Sequence, residues 1–281
     1  MTPSLDEAAQ ALERAGVESP RRNAEALLAR AMGVDRSSIL AGSVTPDEAQ
    51  TLAFSNLCHR RLAREPLEYL LGQVDFCGLS LACDRRALIP RPETEDLVEL
   101  AVRNLRKGPP SSRVLRIADL GTGSGAIALA LKTRIPQAQV IGTDLSPDAS
   151  SLALENARSL YLAVDFRPGP DLKPLDGRFD ALVANPPYVT ESEFQDLMPE
   201  VRDWEPRTAL VGGSEGTEVL ERWIGAAPAS LAPGGWLAVE IGHTQAARVA
   251  GFFQSAGFSD ITTTLDFAGI GRFVSGVRRI P

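Results

Sequence analysis

The sequence predicts a doubly wound α/β domain preceded by a small helical bundle and a β-hairpin linker. Three observations carry that prediction. An apolar run from Val114 leads into Asp119-Leu120-Gly121-Thr122-Gly123-Ser124-Gly125 and then into helix-forming residues, a strand, glycine turn and helix in succession. Further short apolar runs follow at Gln139–Thr143 and Phe179–Ala184, each closed by a polar or breaker residue. The first seventy residues instead carry apolar residues at helical spacing with helix start and stop signals. The expected boundaries are 1–73 for the bundle, 74–90 for the hairpin linker and 91–281 for the α/β domain.

Leu5 to Ala15 reads as a first helix ended by Gly16, and Ser19-Pro20 opens a second that Gly33 stops. Thr45-Pro46-Asp47-Glu48 has the form of a capping box with proline at the first helical position, predicting a helix from about Pro46 to about Arg64. Pro66 opens a short helical stretch that ends at Gly72. Val74 to Cys83 reads as two strands around Gly78. Leu88-Ile89-Pro90-Arg91-Pro92-Glu93-Thr94-Glu95 is a stiff, charged entry to a helix over about Glu93 to Leu105. After the glycine turn come a helix from Ala126 to Arg134, a strand ending at Asp144, a helix from about Pro147 and a strand at Leu162–Phe166. Beyond Phe179–Ala184, a helix over Thr217–Leu231, a strand over Trp236–Ile241 and a helix over Thr244–Ala256 precede two closing strands near Ile261–Leu265 and Arg272–Val277.

The strand tips carry the candidate site. In the Gly121, Thr122, Gly123, Ser124, Gly125 turn, glycines permit close backbone approach and the helix start offers free N–H groups. Its Gly-x-Gly-x-Gly spacing differs from the dinucleotide-binding Gly-x-Gly-x-x-Gly, and no hydride-transfer acid or base is evident. Asp144 can accept from both ribose hydroxyls of an adenosine; the bland role of helix cap suits Ser146 better. Asp171 and Leu172 lie where a loop would reach an adenine, one accepting from its amino group and one packing on its face. In Asn185-Pro186-Pro187-Tyr188 the prolines fix φ and push the preceding residue extended, holding Asn185 stiffly at a strand tip. An amide held there can grip a planar amide or amine.

Composition narrows the classes. A net charge of −7 argues against a non-specific nucleic-acid binder. Residues 1–90 hold ten arginines against twelve carboxylates, net −2; His59-Arg60-Arg61 with Arg64 forms either a solvated helix face or a contact for RNA or an acidic protein face. Cys58, Cys77 and Cys83 form no Cys-x-x-Cys pair, so neither a disulfide framework nor a zinc site is expected, and with two histidines no metal centre is. The acidic N-terminus lacks a signal-peptide core and no apolar run is long enough to span a membrane, so a cytoplasmic location is expected.

The glycine turn, ribose acid and Asn-Pro-Pro-Tyr, in that order, resemble class I methyltransferases that use S-adenosylmethionine. With Glu65-Pro66, Tyr69, Gly72, Ile89-Pro90-Arg91-Pro92-Glu93-Thr94-Glu95, Glu205-Pro206 and Ala209-Leu210 added, nearly the whole chain resembles the release-factor glutamine methyltransferase family (PrmC, also called HemK). The resemblance implies a Rossmann-like, seven-stranded mixed sheet, with S-adenosylmethionine as methyl donor and S-adenosylhomocysteine as product. The implied acceptor is the glutamine side chain of the Gly-Gly-Gln motif in class I peptide release factors, docked by the helical domain. On that reading Asn185 and the Pro186 carbonyl are expected to accept the two amide N–H groups, with Tyr188 packing beside the substrate and Pro187 in the same substrate site; a monomer with no stable nucleic-acid partner is expected. Asn-Pro-Pro-Tyr also suits an exocyclic base amine, so an adenine-type DNA or RNA amino-group methyltransferase is the rival.

Overall fold

The computed structural model describes residues 4–42, 44–107, 114–266 and 268–280. By internal packing the described residues fall into two compact units, one running to Val74 and taking in Met198–Trp204, the other comprising Asp75–Leu197 and the chain from Glu205. The expected linker therefore falls with the second unit from Asp75 onward, and a seven-residue segment from far downstream folds with the bundle.

The first unit is built from α1 (Leu5–Arg14), α2 (Pro20–Met32), α3 (Arg36–Leu40), α4 (Glu48–Leu62) and α5 (Leu67–Leu71). Ser4 and Glu7 close a reciprocal capping box at α1, and Gly33 ends α2 at φ 68°, in the left-handed region that favours glycine. The α4 cap is Asp47, paired with Gln50, so the expected box at Thr45 moves two residues along. Ala8, Leu12, Val17, Ala24, Leu27, Phe54, Cys58 and Leu70 form the core. Burial pushes the Cys58 thiol up to about 12, leaving it unreactive.

The arginine cluster is not a free face. Arg60 pairs with Glu65 at 2.7 Å. Arg61, buried, takes Asn23 Oδ1 at 2.8 Å and Glu200 at 2.9 Å, and Arg64 makes two bonds to the same Glu200 carboxylate at 2.7 and 2.6 Å. Asn23 is neutral, so Glu200 supplies the charge that buried Arg61 needs.

The hairpin strands β1 (Gln73–Phe76) and β2 (Leu79–Ala82) pair with each other, and α6 (Pro92–Lys107) follows. The second unit then runs β3 (Arg116–Leu120), α7 (Ala126–Arg134), β4 (Gln139–Asp144), α8 (Pro147–Ser159), β5 (Asp165–Pro168), β6 (Phe179–Ala184) and β7 (Val189–Thr190). Short helices α9 (Glu193–Asp196) and α10 (Pro199–Arg202), the latter in the first unit, lead to β8 (Val211–Gly213). The chain closes with α11 (Glu218–Ser230), β9 (Leu231–Glu240), α12 (Ala246–Ser255), β10 (Phe258–Leu265) and β11 (Gly271–Arg278).

Seven strands form one mixed sheet in the order β10-β11-β9-β6-β3-β4-β5. Strands β9, β6, β3, β4 and β5 are parallel, and β11 inserts antiparallel between β9 and β10. The strand order reverses between β3 and β6, so a crevice opens at the carboxyl ends of these neighbours. The apolar run at Leu162–Phe166 begins its strand later than expected: the Leu162 amide closes α8 by donating to Ala157 O at 2.9 Å, and the strand starts at Asp165.

Candidate active site

A cavity of about 560 Å³ opens at those strand ends, lined among others by Gly121, Gly123, Asp144, Asp171, Asn185 and Pro187. Each side chain is set by its neighbours in the fold. Gly121 adopts φ 67° and a Cβ there would sit 3.0 Å from the Trp223 ring, so this backbone needs glycine twice over. Thr122 and Ser124 are buried and do not line the cavity: Thr122 Oγ1 donates to Asp119 Oδ2 at 2.6 Å, and Ser124 O accepts from Asn156 Nδ2 at 2.9 Å. Gly125 caps α7 at φ 85° against Ala153, Phe166 and Leu129, and also lies behind the surface. Of the five turn residues only the first two glycines face the space; the other three hold the turn.

Asp144 ends β4 with Oδ2 accepting from Gly123 N and Oδ1 from Ser146 N, both at 2.8 Å. Burial raises its carboxyl, and these two amides partly oppose the shift. Ser146 itself caps α8, accepting from Ala149 N. Asp144 is therefore a rigid carboxylate at the cavity wall, tied to the glycine turn.

The expectations for Asp171 and Leu172 change. Asp171 Oδ1 accepts from Arg222 Nε and Nη2 at 3.0 and 2.8 Å and from Trp223 Nε1 at 2.7 Å, and the Arg222 bonds hold its carboxyl below the usual range. The residue lines the cavity, but that oxygen is committed to α11. Leu172 is buried in the core around Leu182, Trp223 and Ile224 and does not reach the cavity. Gly169 and Pro170 line that side in its place.

At the tip of β6, Asn185 Nδ2 donates to Thr94 Oγ1 at 3.0 Å, and Thr94 Oγ1 donates to Glu240 Oε2 at 2.8 Å. Tyr188 turns its ring onto the core, with its hydroxyl 3.4 Å from Glu240 Oε1. Of the four motif residues, Asn185 and Pro187 line the cavity. Burial pushes Glu240 up to about 7 and Tyr188 up to about 12. The Ile89–Glu95 run is fastened by Glu205, which accepts from Ile89 N at 3.0 Å and Arg91 Nη2 at 2.6 Å. Glu240, Arg222 and Trp223 carry no local signal beyond Glu240 being the lone charge in an apolar strand, whereas Thr94 stands in the Ile89–Glu95 run that the sequence singled out, without a role assigned to it there.

No helix among the described residues is long and apolar enough to cross a membrane, and none of their His, Cys, Asp and Glu side chains cluster to hold a metal.

The sheet order, the inserted antiparallel strand and a cavity at the tips of β3, β4 and β6 define a class I methyltransferase. A solved methyltransferase from Pyrococcus furiosus shares this fold, with a TM-score of 0.54 at 18% identity over 72% of this chain and 90% of that one. The family pattern described as methyltransferase small domain matches residues 98–200, and that described as PrmC N-terminal domain matches residues 4–72. Proteins named release factor glutamine methyltransferase from Geobacter sulfurreducens and Deinococcus radiodurans are 44% and 41% identical, covering 94% and 98% of this chain and 92% and 97% of their own. The chain belongs to the release factor glutamine methyltransferase family.

Proposed function

We propose that this protein methylates the side-chain amide nitrogen of the glutamine in the Gly-Gly-Gln motif of class I peptide release factors, using S-adenosylmethionine. The observation that carries the reading is Asn185, stiffened by two prolines at the wall of a cavity that also exposes the Gly121–Gly123 backbone and Asp144. Family membership supports the acceptor.

The residues present fit the cofactor. The Gly121 and Gly123 backbone lines the cavity at positive φ, with Trp223 closely packed against Gly121, and Asp144 is a fixed acceptor beside it. Gly121, Gly123, Asp144 and the Gly169–Asp171 loop would hold it, with Thr122, Ser124, Gly125 and Leu172 supporting from behind. S-adenosylmethionine, when bound, supplies a methyl group on a sulfonium sulfur, an activated electrophile.

The protein's own task is placement. An amide nitrogen is a weak nucleophile because its lone pair is delocalised into the carbonyl. Alignment of nitrogen, carbon and sulfur contributes on the order of the 7–11 kcal/mol available to ideal positioning. Asn185 Oδ1 accepts one substrate N–H and the Pro186 carbonyl the other, fixing the nitrogen and stabilising positive charge that develops on it. Pro187 borders the substrate, and Tyr188 braces the loop from within. A proton then leaves the nitrogen to water; no general base is assigned.

The test is methyl transfer to a release factor by wild type and Asn185→Ala, with cofactor affinity measured alongside. Turnover should fall by about a hundredfold, with cofactor affinity within a few-fold. Near-normal transfer by the variant would remove Asn185 from the mechanism, and label appearing on DNA instead of the release factor would replace the acceptor.

A further inference from the structure

Asn185 is useful as an acceptor only if its amide is turned the right way. Its two ends are nearly equal in size, so packing alone does not choose between a carbonyl oxygen and an NH2 facing the cavity. The choice is made behind it. Thr94, on the first turn of α6, is 4% exposed, and Glu240, at the end of β9, is 1% exposed. Asn185 Nδ2, Thr94 Oγ1 and Glu240 Oε2 form a chain of bonds at 3.0 and 2.8 Å, drawn from three separate elements.

An ionised carboxylate only accepts. It therefore takes the single Thr94 hydroxyl proton, and Thr94 can then only accept from Asn185. We propose that Thr94 and Glu240 are positioning residues that fix the polarity of this chain, committing Asn185 Nδ2 inward and leaving Oδ1 for a substrate N–H. A protonated Glu240 can donate to Thr94 instead, Thr94 then donates to Asn185, and the amide offers its NH2 to a substrate that also presents donors. The inference rests on Asn185 accepting from the substrate amide.

The surroundings of Glu240 keep this switch within reach. Thr94 and Glu93 face it from α6, Tyr188 from the loop after β6, and Arg272 from β11. Burial and Glu93 raise the carboxyl, Thr94 and Arg272 lower it, and it titrates near 7. Arg272 is itself held by Asp266 at 3.2 Å, which dilutes its pull. Transfer should accordingly require the deprotonated form and rise with pH through about 7.

The experiment measures single-turnover transfer to a release factor from about pH 6 to about pH 8.5, with cofactor affinity determined separately, for wild type, Thr94→Val, Thr94→Ser, Glu240→Gln and Asn185→Ala. Wild type should show a limb near pH 7 that Glu240→Gln lacks. Thr94→Val should lose about ten- to a hundredfold in turnover with unchanged cofactor affinity, and Thr94→Ser should recover to within a few-fold. A merely structural Thr94 would lower cofactor affinity with turnover and would not produce the limb. A flat wild-type profile, a limb that survives Glu240→Gln, or full activity in Thr94→Val beside an inactive Asn185→Ala overturns the proposal. Should Thr94→Val not fold, the wild-type and Glu240→Gln profiles decide alone. Activity retained by Asn185→Ala would instead overturn the site reading beneath it.

Discussion

Glu240 and Asp119 are carboxyl groups almost without access to water, and burial pushes each up to about 7. Their folded values lie above the usual carboxylate range, so folding favours the protonated form. The stability they contribute is complete below the unfolded-state value and is lost as pH rises through about 7. Thermal unfolding of the cofactor-free protein should therefore show a falling midpoint from pH 5.5 to 8, by the direction of both shifts, and Glu240→Gln should flatten part of that slope while Asp119 keeps the rest. A slope unchanged by Glu240→Gln would mean that Glu240 titrates as an ordinary surface acid. The residue scale was also where sequence reading reached least far. Asn185 was legible because Pro-Pro acts locally, whereas its partner Thr94 lies 91 positions away and Glu240, on the neighbouring strand β9, lies 146 positions from Thr94. The partners of Asp171 were hidden for the same reason: Arg222 and Trp223, which take its Oδ1, come 51 and 52 residues later.

Elements carry the glycine turn and the wall of the cavity, and here close approach matters more than charge. A Cβ on Gly121 would need φ 67° and would press the Trp223 ring at 3.0 Å. Gly121→Ala should weaken S-adenosylmethionine binding at least about tenfold, read by calorimetry, with the fold retained. Gly212 in β8 is tighter still: a Cβ would lie 2.4 Å from the Pro187 carbonyl oxygen and 2.7 Å from that of Gly216. Gly212→Ala must move the backbone that carries Asn185 and Pro187. It should cost about 1–3 kcal/mol of stability and lower turnover more than cofactor affinity; unchanged turnover would show that the loop tolerates the shift. Most elements were legible in advance because each is signalled locally, by a cap, a glycine stop or an apolar run closed by a breaker. Short elements were not: the helices Arg36–Leu40, Glu193–Asp196 and Pro199–Arg202 and the strands Val189–Thr190 and Val211–Gly213 are too short to show a period, and Arg36–Leu40 buries no residue. The late start of β5 followed from an amide already used to close α8.

At the level of the whole molecule, the division into units is not the division of the sequence. Met198–Trp204 folds with the bundle, and Glu200 within it answers two arginines, one of them buried. Removing that carboxylate leaves the Arg61 charge without its acidic partner in a dry setting. Glu200→Ala should destabilise the bundle by about 3 kcal/mol, seen as an early transition in chemical unfolding followed by probes in residues 4–74. A single unshifted transition would show that solvent reaches Arg61 freely. The helical character of the first unit was legible from its caps and spacing, but its use of a distant segment was not, since nothing local marks Glu200 as a partner for Arg61 and Arg64.

The most direct test of the central claim is to locate the transferred methyl group. A release factor incubated with the protein and isotopically labelled S-adenosylmethionine would be digested and the labelled fragment sequenced by mass spectrometry. Label should sit on the side-chain nitrogen of the Gly-Gly-Gln glutamine and fall about a hundredfold when Asn185→Ala replaces the wild type. Label on any other residue, or on nucleic acid alone, would contradict that claim.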